Sequence, residues 1–169
     1  MPLIYILSNS IYNDDIINIT SYLTISSGYI ALTTLFLILF IPLVSIFRFI
    51  DRRSLGVATF LYTFLHFLFY VIDGDFTLKL LFDDFYMRKF ITIGYVALIL
   101  FIPLLLTSSD RIKKKLASRW YLLHKSIYLI AIFSLLHYFL LIKADYLLFF
   151  LYSLLLMILF ILKYRNQYK

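Results

Sequence analysis

The sequence lacks cysteine and glutamate, and it contains only four glycines and three prolines among its 169 residues. Without cysteine the chain forms no disulfides, thiolate metal sites, iron–sulfur clusters or covalent c-type haem attachments. All nine acidic residues are aspartates. The scarcity of acids within apolar sequence argues against a carboxylate di-iron centre or a carboxylate proton relay. No G-x-G-x-x-G motif follows a strand, so the chain is not expected to take hydride from NAD(P)H unaided.

Apolar residues make up 63% of the chain, and its mean hydropathy is +0.95. Soluble domains are about 45–50% apolar, so we predict an integral membrane protein with a single bundle. Five continuous apolar runs, none with the alternation of a barrel strand, approach the ~20 residues that a membrane-spanning helix needs. The predicted spans are residues 28–47, 54–72, 90–108, 120–142 and 146–162. The expected fold is therefore an all-α membrane bundle of about five helices.

Basic residues are distributed unevenly between the two sides of this bundle. Twelve of the sixteen lie in alternate loops and in the C-terminal tail, and four lie on the opposite side. By the positive-inside rule, the N-terminus is outside and the C-terminus is in the cytoplasm. The net charge of +7 then reflects topology and contact with anionic lipid, and we do not predict nucleic-acid binding. The twelve are Arg48, Arg52, Arg53, Arg111, Lys113, Lys114, Lys115, Arg119, Lys125, Lys163, Arg165 and Lys169.

The expected organisation is a short outer segment over 1–27, one transmembrane domain over 28–165 and a cytoplasmic tail over 166–169. The first residues lack a basic n-region, so we do not interpret them as a signal peptide. The largest outer loop, 73–89, carries four aspartates. This loop is either a solvated surface or a docking face for a partner outside the cell membrane.

The hexapeptide ILFIPL occurs twice, at 38–43 and at 99–104. Each copy ends an inward-running span and precedes an Asp-Arg pair and then a span that contains histidine. Pro42 and Pro103 predict kinks in the two spans. The repeat is either the trace of a duplicated two-helix unit or a coincidence in a chain rich in Leu, Ile and Phe, and we favour coincidence.

Three histidines, His66, His124 and His137, lie in predicted spans. An ionisable ring is costly in lipid, so it usually faces the bundle interior and has a function, although a lone membrane histidine more often only packs. The second and fourth spans run in the same direction. At 1.5 Å per residue, His66 lies about 21 Å beyond Arg52, and His137 about 20 Å beyond His124. We therefore expect an outer level with His66 and His137 and an inner level with His124 and Arg52.

Two imidazoles on facing helices at equal depth can supply both axial ligands of a low-spin haem. A second haem at the inner level would use His124. Arg52 would either ligate that haem or pair with a propionate, and pairing is chemically favoured because a guanidinium stays protonated. Thirteen residues turn an ideal helix by about 140° from its starting face, so His124 and His137 share a face only if the helix is tilted, kinked or bulged. The residues thus predict one haem or two.

Three sequence blocks resemble the ferric-reductase-like transmembrane family, in particular its MsrQ branch. They occur in order and with compatible spacing over about 28–165. The blocks are RRSLG at 52–56 with Leu65 and His66 after it, LTS at 106–108, and RWYLLH at 119–124 with Tyr128, His137 and Tyr138 after it.

The resemblance implies a b-type haem subunit in which His66, His124 and His137 are haem ligands and Arg52 is a candidate for the second haem site. In that family the subunit passes electrons to MsrP, a periplasmic molybdopterin enzyme that reduces methionine sulfoxide in oxidised proteins. The electrons come from the quinone pool or from a cytosolic flavin reductase, and FMN is associated with the subunit. The chain would then be an electron-transfer subunit with haem b, and with FMN or quinone as a further cofactor.

The chain departs from the family pattern in its number of spans, because members usually have six and the first of these has no counterpart among the five predicted here. Other functions also stay open. One is a ferric or other metal reductase that needs no dedicated protein partner. A second is a small transporter or proton channel, which the lack of discontinuous helices around a midplane site disfavours. A third is a scaffold subunit whose histidines only pack.

Overall fold

The computed structural model describes residues 19–43, 49–74, 76–143 and 146–167, and every regular element within them is helical. The all-α bundle is therefore confirmed. A 3₁₀ turn, Ile41–Leu43, continues the first helix. The α-helices are α1 (Ile19–Phe40), α2 (Arg52–Asp73), α3 (Leu78–Met87), α4 (Lys89–Leu106), α5 (Asp110–Leu116), α6 (Ser118–His124), α7 (Ser126–Leu141) and α8 (Leu147–Gln167).

Four segments of the described chain are long and apolar enough to cross a membrane. The fifth predicted span corresponds to α8, whose apolar part, Leu147–Lys163, is shorter. The chain is thus a multi-pass membrane protein, and the predicted orientation of its termini stays a prediction. The four segments are Ile19–Leu43, Arg52–Asp73, Lys89–Leu106 and Ser118–Leu141.

Helix α1 begins at Ile19 and forms the first described span with the 3₁₀ turn after it, so the prediction that this span starts at residue 28 was wrong. The sequence before residue 28 is rich in serine and threonine, which resembles a polar loop. In the structure the Thr24 hydroxyl donates to the Thr20 carbonyl over 2.8 Å, and the Ser27 hydroxyl donates to the Leu23 carbonyl over 2.6 Å. A hydroxyl bonded to the preceding turn needs no water, so these residues continue an apolar helix. Of the predicted outer segment, residues 1–18 lie outside the described part of the chain.

The loops contain more helix than the sequence suggested. The predicted outer loop 73–89 contains α3, and the basic inner loop contains α5, which Ser109 caps by accepting from the Ile112 amide at 3.4 Å. The predicted fourth span is divided into α6 and α7 at Lys125, where the backbone keeps right-handed helical dihedrals (φ −67°, ψ −21°).

The buried core joins α1, α4, α7 and α8. The helix α1 packs most closely on α2, and α4 packs most closely on α7. Helix α2 lies at the edge of this core, and Thr59 is its buried residue. Small residues such as Ala31 and Ala131 let the helices approach one another, which favours association inside lipid. The core residues are Leu32, Leu35, Phe36, Leu39, Phe101, Leu104, Ile130, Ala131, Leu135, Tyr138, Leu156 and Leu159.

The bundle has two ends, which we name the α3 end and the α5 end after the short helices there. At the α5 end, Asp51 caps α2 by accepting from the amides of Arg53 and Ser54. The Ser54 hydroxyl and then these two amides hold the pKa of the exposed Asp51 carboxyl below its ordinary value. Arg53 also pairs with Asp110 at 2.9 Å, and both side chains are largely exposed. By the predicted topology, the α3 end faces outward.

Candidate functional site

His66 lies on α2 with its ring against α1. Its Nδ1 is 2.7 Å from the carbonyl oxygen of Thr24. The ring occupies the space beside Gly28, where an added Cβ would lie 2.9 Å from the His66 Cε1. A side chain at this position would displace the imidazole, so Gly28 is needed for the close approach.

His137 lies on α7 and packs in the same manner on α4. Its Nδ1 is 2.6 Å from the carbonyl oxygen of Phe90. An added Cβ at Gly94 would lie 2.9 Å from that Nδ1. Each histidine therefore packs on a glycine of a neighbouring helix and bonds the carbonyl that lies one turn before that glycine.

These two hydrogen bonds determine which ring nitrogen is available to a ligand. A carbonyl oxygen only accepts, so Nδ1 carries the proton in both rings, and in the neutral form Nε2 keeps its lone pair. No described residue forms a hydrogen bond with either Nε2. A histidine that ligates a metal through one nitrogen usually donates its other N–H to a carbonyl or carboxylate in this way.

The two rings lie close together across the bundle. Their centroids are 6.1 Å apart, and their planes are nearly perpendicular, at 81°. Two metal–imidazole bonds of about 2 Å, with roughly 1 Å from each nitrogen to its ring centre, give about 6 Å between ring centres. The separation therefore suits two axial ligands of one metal ion. A structural metal site needs about four protein ligands, and no cluster of three or more such groups is found in the described part of the chain. A haem needs only two.

Both rings line one cavity of about 380 Å³ between α1, α2, α4 and α7. Its walls are mainly apolar, as in most cofactor sites. Leu32 and Leu35 lie towards the α5 end, and Tyr70 and Tyr95 lie towards the α3 end. The described residues thus fit a flat, largely apolar cofactor held by two neutral imidazoles.

His124 lies in a different environment at the end of α6. Its Nε2 is 3.0 Å from the hydroxyl oxygen of Thr107, and its ring stacks on Trp120 with centroids 3.9 Å apart. The Trp120 indole N–H donates to the Thr107 carbonyl over 2.8 Å. The Thr107 hydroxyl donates to the Pro103 carbonyl over 2.6 Å, so Nε2 of His124 must be the donor to Thr107. We name His124, Trp120 and Thr107 the tryptophan cluster.

Arg52 is the first residue of α2 and is exposed. Its neighbour Arg53, rather than Arg52, forms the ion pair with Asp110. Neither His124 nor Arg52 lines the cavity that contains His66 and His137. The structure thus brings together two of the four residues predicted for the site, and it places the other two elsewhere.

Gly28 and Gly94 contact the two histidine rings of the cavity, and the sequence reasoning missed both positions. With only four glycines in the chain, a glycine within a long apolar run was a usable signal of close helix contact. The carbonyls of Thr24 and Phe90 had no signal in the sequence, because every residue carries one.

Comparison with known proteins gives a family match and a set of curated relatives. The family model described as "Ferric reductase like transmembrane component" matches residues 27–135, which include His66 and His124 and end just before His137. The chain is 41% identical over 96 residues to the protein-methionine-sulfoxide reductase haem-binding subunit MsrQ of Deinococcus radiodurans. That alignment covers 56% of this chain and 48% of the relative.

Two further relatives carry the same name. The Rhodospirillum rubrum protein is 38% identical over 96 residues, covering 56% of this chain and 46% of the relative. The Brucella ovis protein is 39% identical over 94 residues, covering 55% and 43% respectively. No solved structure matches the chain. The chain spans about half the length of these curated relatives. Because the family model covers more than half of the chain, the protein belongs to the ferric-reductase-like transmembrane family.

Proposed function

We propose that the chain is a haem-binding membrane subunit in which His66 and His137 are the two axial ligands of one b-type haem. The observation that carries this proposal is the matched pair of imidazoles, each with Nδ1 on a backbone carbonyl and Nε2 without a partner among the described residues, 6.1 Å apart across one cavity. The name of the MsrQ relatives, haem-binding subunit, supports the same ligand.

The protein's contribution is to hold the rings rather than to do the chemistry. A bound haem supplies the one-electron redox chemistry. The carbonyls of Thr24 and Phe90 fix the orientation of the two imidazoles and increase the basicity of Nε2. The apolar walls keep water out, which sets the dielectric around the site and hence the redox potential.

The proposed direction of electron flow follows from the predicted topology. Electrons enter from the quinone pool or a cytosolic flavin reductase on the side of the α5 end. They leave at the α3 end to a periplasmic methionine-sulfoxide reductase of the MsrP type, in a bacterial inner membrane. The names of the relatives support this acceptor class. FMN or quinone would be an additional cofactor on the donor side.

A second haem at the α5 end would use His124, with Arg52 at a propionate. In the described arrangement Nε2 of His124 donates its proton to Thr107, so this nitrogen could ligate a haem only after giving up that hydrogen bond. One haem per chain is therefore the expected stoichiometry, and two would require rearrangement of the tryptophan cluster.

The test is spectroscopic and uses the full chain purified in detergent. We expect a Soret band, sharp α and β bands after dithionite reduction, and one haem per chain by pyridine haemochrome assay. A purified chain without haem would refute the proposal. Two haems per chain would refute the expected stoichiometry and support the inner site.

Ferric reduction without a protein partner is the second candidate, which the family's description favours. The two candidate functions are distinguished by measuring which oxidant reoxidises the reduced protein faster. Rapid reoxidation by a purified methionine-sulfoxide reductase, with slow reoxidation by ferric citrate, supports the first candidate. The reverse supports the second.

A further inference from the structure

The hydroxyl of Tyr95 is buried and forms no hydrogen bond of normal distance and angle with a described residue, and the Tyr70 hydroxyl is the polar group beside it. Tyr95 is on α4, next to Gly94, and lines the cavity that contains His66 and His137. A buried hydroxyl without a partner is costly, so such groups are rare unless a ligand or an ordered water supplies the partner.

Two aromatic rings hold the Tyr95 side chain in place. The ring of Phe85 in α3 stacks on it with centroids 6.0 Å apart and planes at 13°. The ring of Phe67 in α2 meets it edge-on at 5.8 Å. Side chains on a helix also lean towards its N-terminus, which for α4 is the α3 end. The hydroxyl is therefore fixed at the α3 end of the cavity.

The polar groups beside Tyr95 are already paired with one another. The Tyr70 hydroxyl donates to Asp84 Oδ2 over 2.6 Å, and Arg88 Nε donates to Asp84 Oδ1 over 3.1 Å. The Asp84 side chain is 6% exposed, so its charge is compensated by Arg88 within the protein. Since the Tyr70 proton is committed to Asp84, Tyr95 is the hydroxyl left to donate to a ligand at this end.

We propose that the Tyr95 hydroxyl donates a hydrogen bond to a propionate carboxylate of the haem that His66 and His137 hold, and so orients the haem with its carboxylate edge towards the α3 end. This inference rests on the proposed function. The neutral Asp84–Arg88 pair makes an anion tolerable beside Tyr95. Leu32 and Leu35, towards the α5 end of the cavity, suit the opposite, hydrocarbon edge of the haem.

The test compares the rate of haem loss to excess apomyoglobin for the wild type and Tyr95→Phe, as holoprotein in detergent. A hydrogen bond to a charged group is worth a factor of about ten or more, so Tyr95→Phe is expected to lose haem at least about tenfold faster. Its bis-imidazole spectrum is expected to be unchanged. Tyr152→Phe is the matched control. Tyr152 is on α8 and does not line the cavity, and its hydroxyl is hydrogen-bonded to Thr33 at 2.8 Å.

A second arm uses the full chain loaded with iron etioporphyrin, which has alkyl groups in place of both propionates. With this porphyrin, Tyr95→Phe and wild type are expected to lose the macrocycle at the same rate. Ser134→Ala reports on the opposite orientation, since Ser134 lines the same cavity from α7, on the α5 side of His137. The Ser134→Ala variant is expected to lose haem at the same rate as the wild type.

Three results would overturn the inference: equal haem loss in Tyr95→Phe and wild type, an effect of Tyr95→Phe that persists with iron etioporphyrin, or faster loss in Ser134→Ala than in Tyr95→Phe. Each leaves a protein that still binds haem. A wild type that binds no haem would instead refute the proposed function, so the two failures are distinguishable.

Discussion

The cavity with His66 and His137 and the tryptophan cluster with His124 show two ways in which one bundle holds an imidazole. In the cavity, Nδ1 of each ring meets a backbone carbonyl, and Nε2 has no partner among the described residues. In the cluster, Nε2 itself is bonded to Thr107, and the ring face is covered by Trp120. The first arrangement leaves the lone pair on Nε2 of rings that line the cavity, whereas in the second Nε2 carries the proton and the ring, stacked on Trp120, does not line the cavity.

The comparison shows that the depth of a histidine in a membrane helix does not by itself make it a ligand. The two sites differ in which ring nitrogen is hydrogen-bonded, in the group that it bonds, and in the space left around the ring. Glycine provides that space in the cavity. In the tryptophan cluster a large aromatic side chain occupies it. The following predictions test this difference.

Removing the imidazoles should produce the largest contrast. His66→Ala or His137→Ala is expected to abolish the bis-imidazole spectrum and reduce haem content at least tenfold, because each leaves the iron with one protein ligand. His124→Ala is expected to keep full haem content. Haem per chain by pyridine haemochrome, with the reduced α band, measures both. Full haem in both cavity variants would show that the ligands lie elsewhere.

Filling the glycine positions should produce the next largest effect. Gly28→Ala and Gly94→Ala each place a Cβ 2.9 Å from a histidine ring, so the ring must move away from its carbonyl. Loss of such an orienting contact typically weakens metal affinity about 10–100-fold. Because alanine favours a helix over glycine by about 1 kcal/mol, this loss would not reflect a weaker helix.

Gly56→Ala is the matched control for the two glycine variants. It adds the same methyl group to α2 where nothing lies within 4 Å of the new Cβ. Haem affinity measured by titration should be unchanged in this variant. Equal affinity in all three variants would mean that the close approach of histidine to glycine has no role in haem binding.

Thr107→Val should have a smaller effect, limited to stability. It removes the hydroxyl that accepts from His124 Nε2, and an unpaired polar group of this kind costs about 1 kcal/mol. We expect a lower thermal denaturation temperature in detergent with an unchanged haem spectrum. A variant that lost haem while still folded would show that the tryptophan cluster is part of the haem site.

Asp51 should give the smallest effect, confined to the start of α2. The pKa of its carboxyl is lowered in the folded chain, mainly by the hydrogen bond from the Ser54 hydroxyl. The ionised cap therefore stabilises the fold at pH values above 3.8, the ordinary pKa of aspartate. This stabilisation is lost as the pH falls from 3.8 through the lower pKa that Asp51 has in the folded chain, because the carboxyl is then protonated in both states. Thermal denaturation of wild type and Asp51→Ala should therefore differ near neutral pH and converge at strongly acidic pH. A difference that persisted unchanged at acidic pH would contradict this linkage, and Asp51→Ser should retain the cap.

The helices were predictable from the sequence because lipid leaves a long apolar run few alternatives to a helix. The family and the pairing of His66 with His137 were predictable as well, the latter from their equal depth on spans that run in the same direction. The start of α1 was not, because hydroxyls that bond their own helix resemble a polar loop in the sequence. Helix α3 was also missed, since its aspartates suggested a loop, although Asp84 is buried against Tyr70.

The sequence by itself determined that the chain is a helical membrane protein, that it has no cysteine thiol, and which imidazoles lie inside the bundle. Only the tertiary structure decided which of them line one cavity and which nitrogen of each ring carries the proton. Thr24 and Phe90 are distant in sequence from the histidines they hold, and Thr107 is distant from His124, so none of these contacts is encoded in a local motif. Whether a ring nitrogen is available depends on the group that packs against it. That group is supplied by the packing of α1 on α2, of α4 on α7 and of α6 on the end of α4.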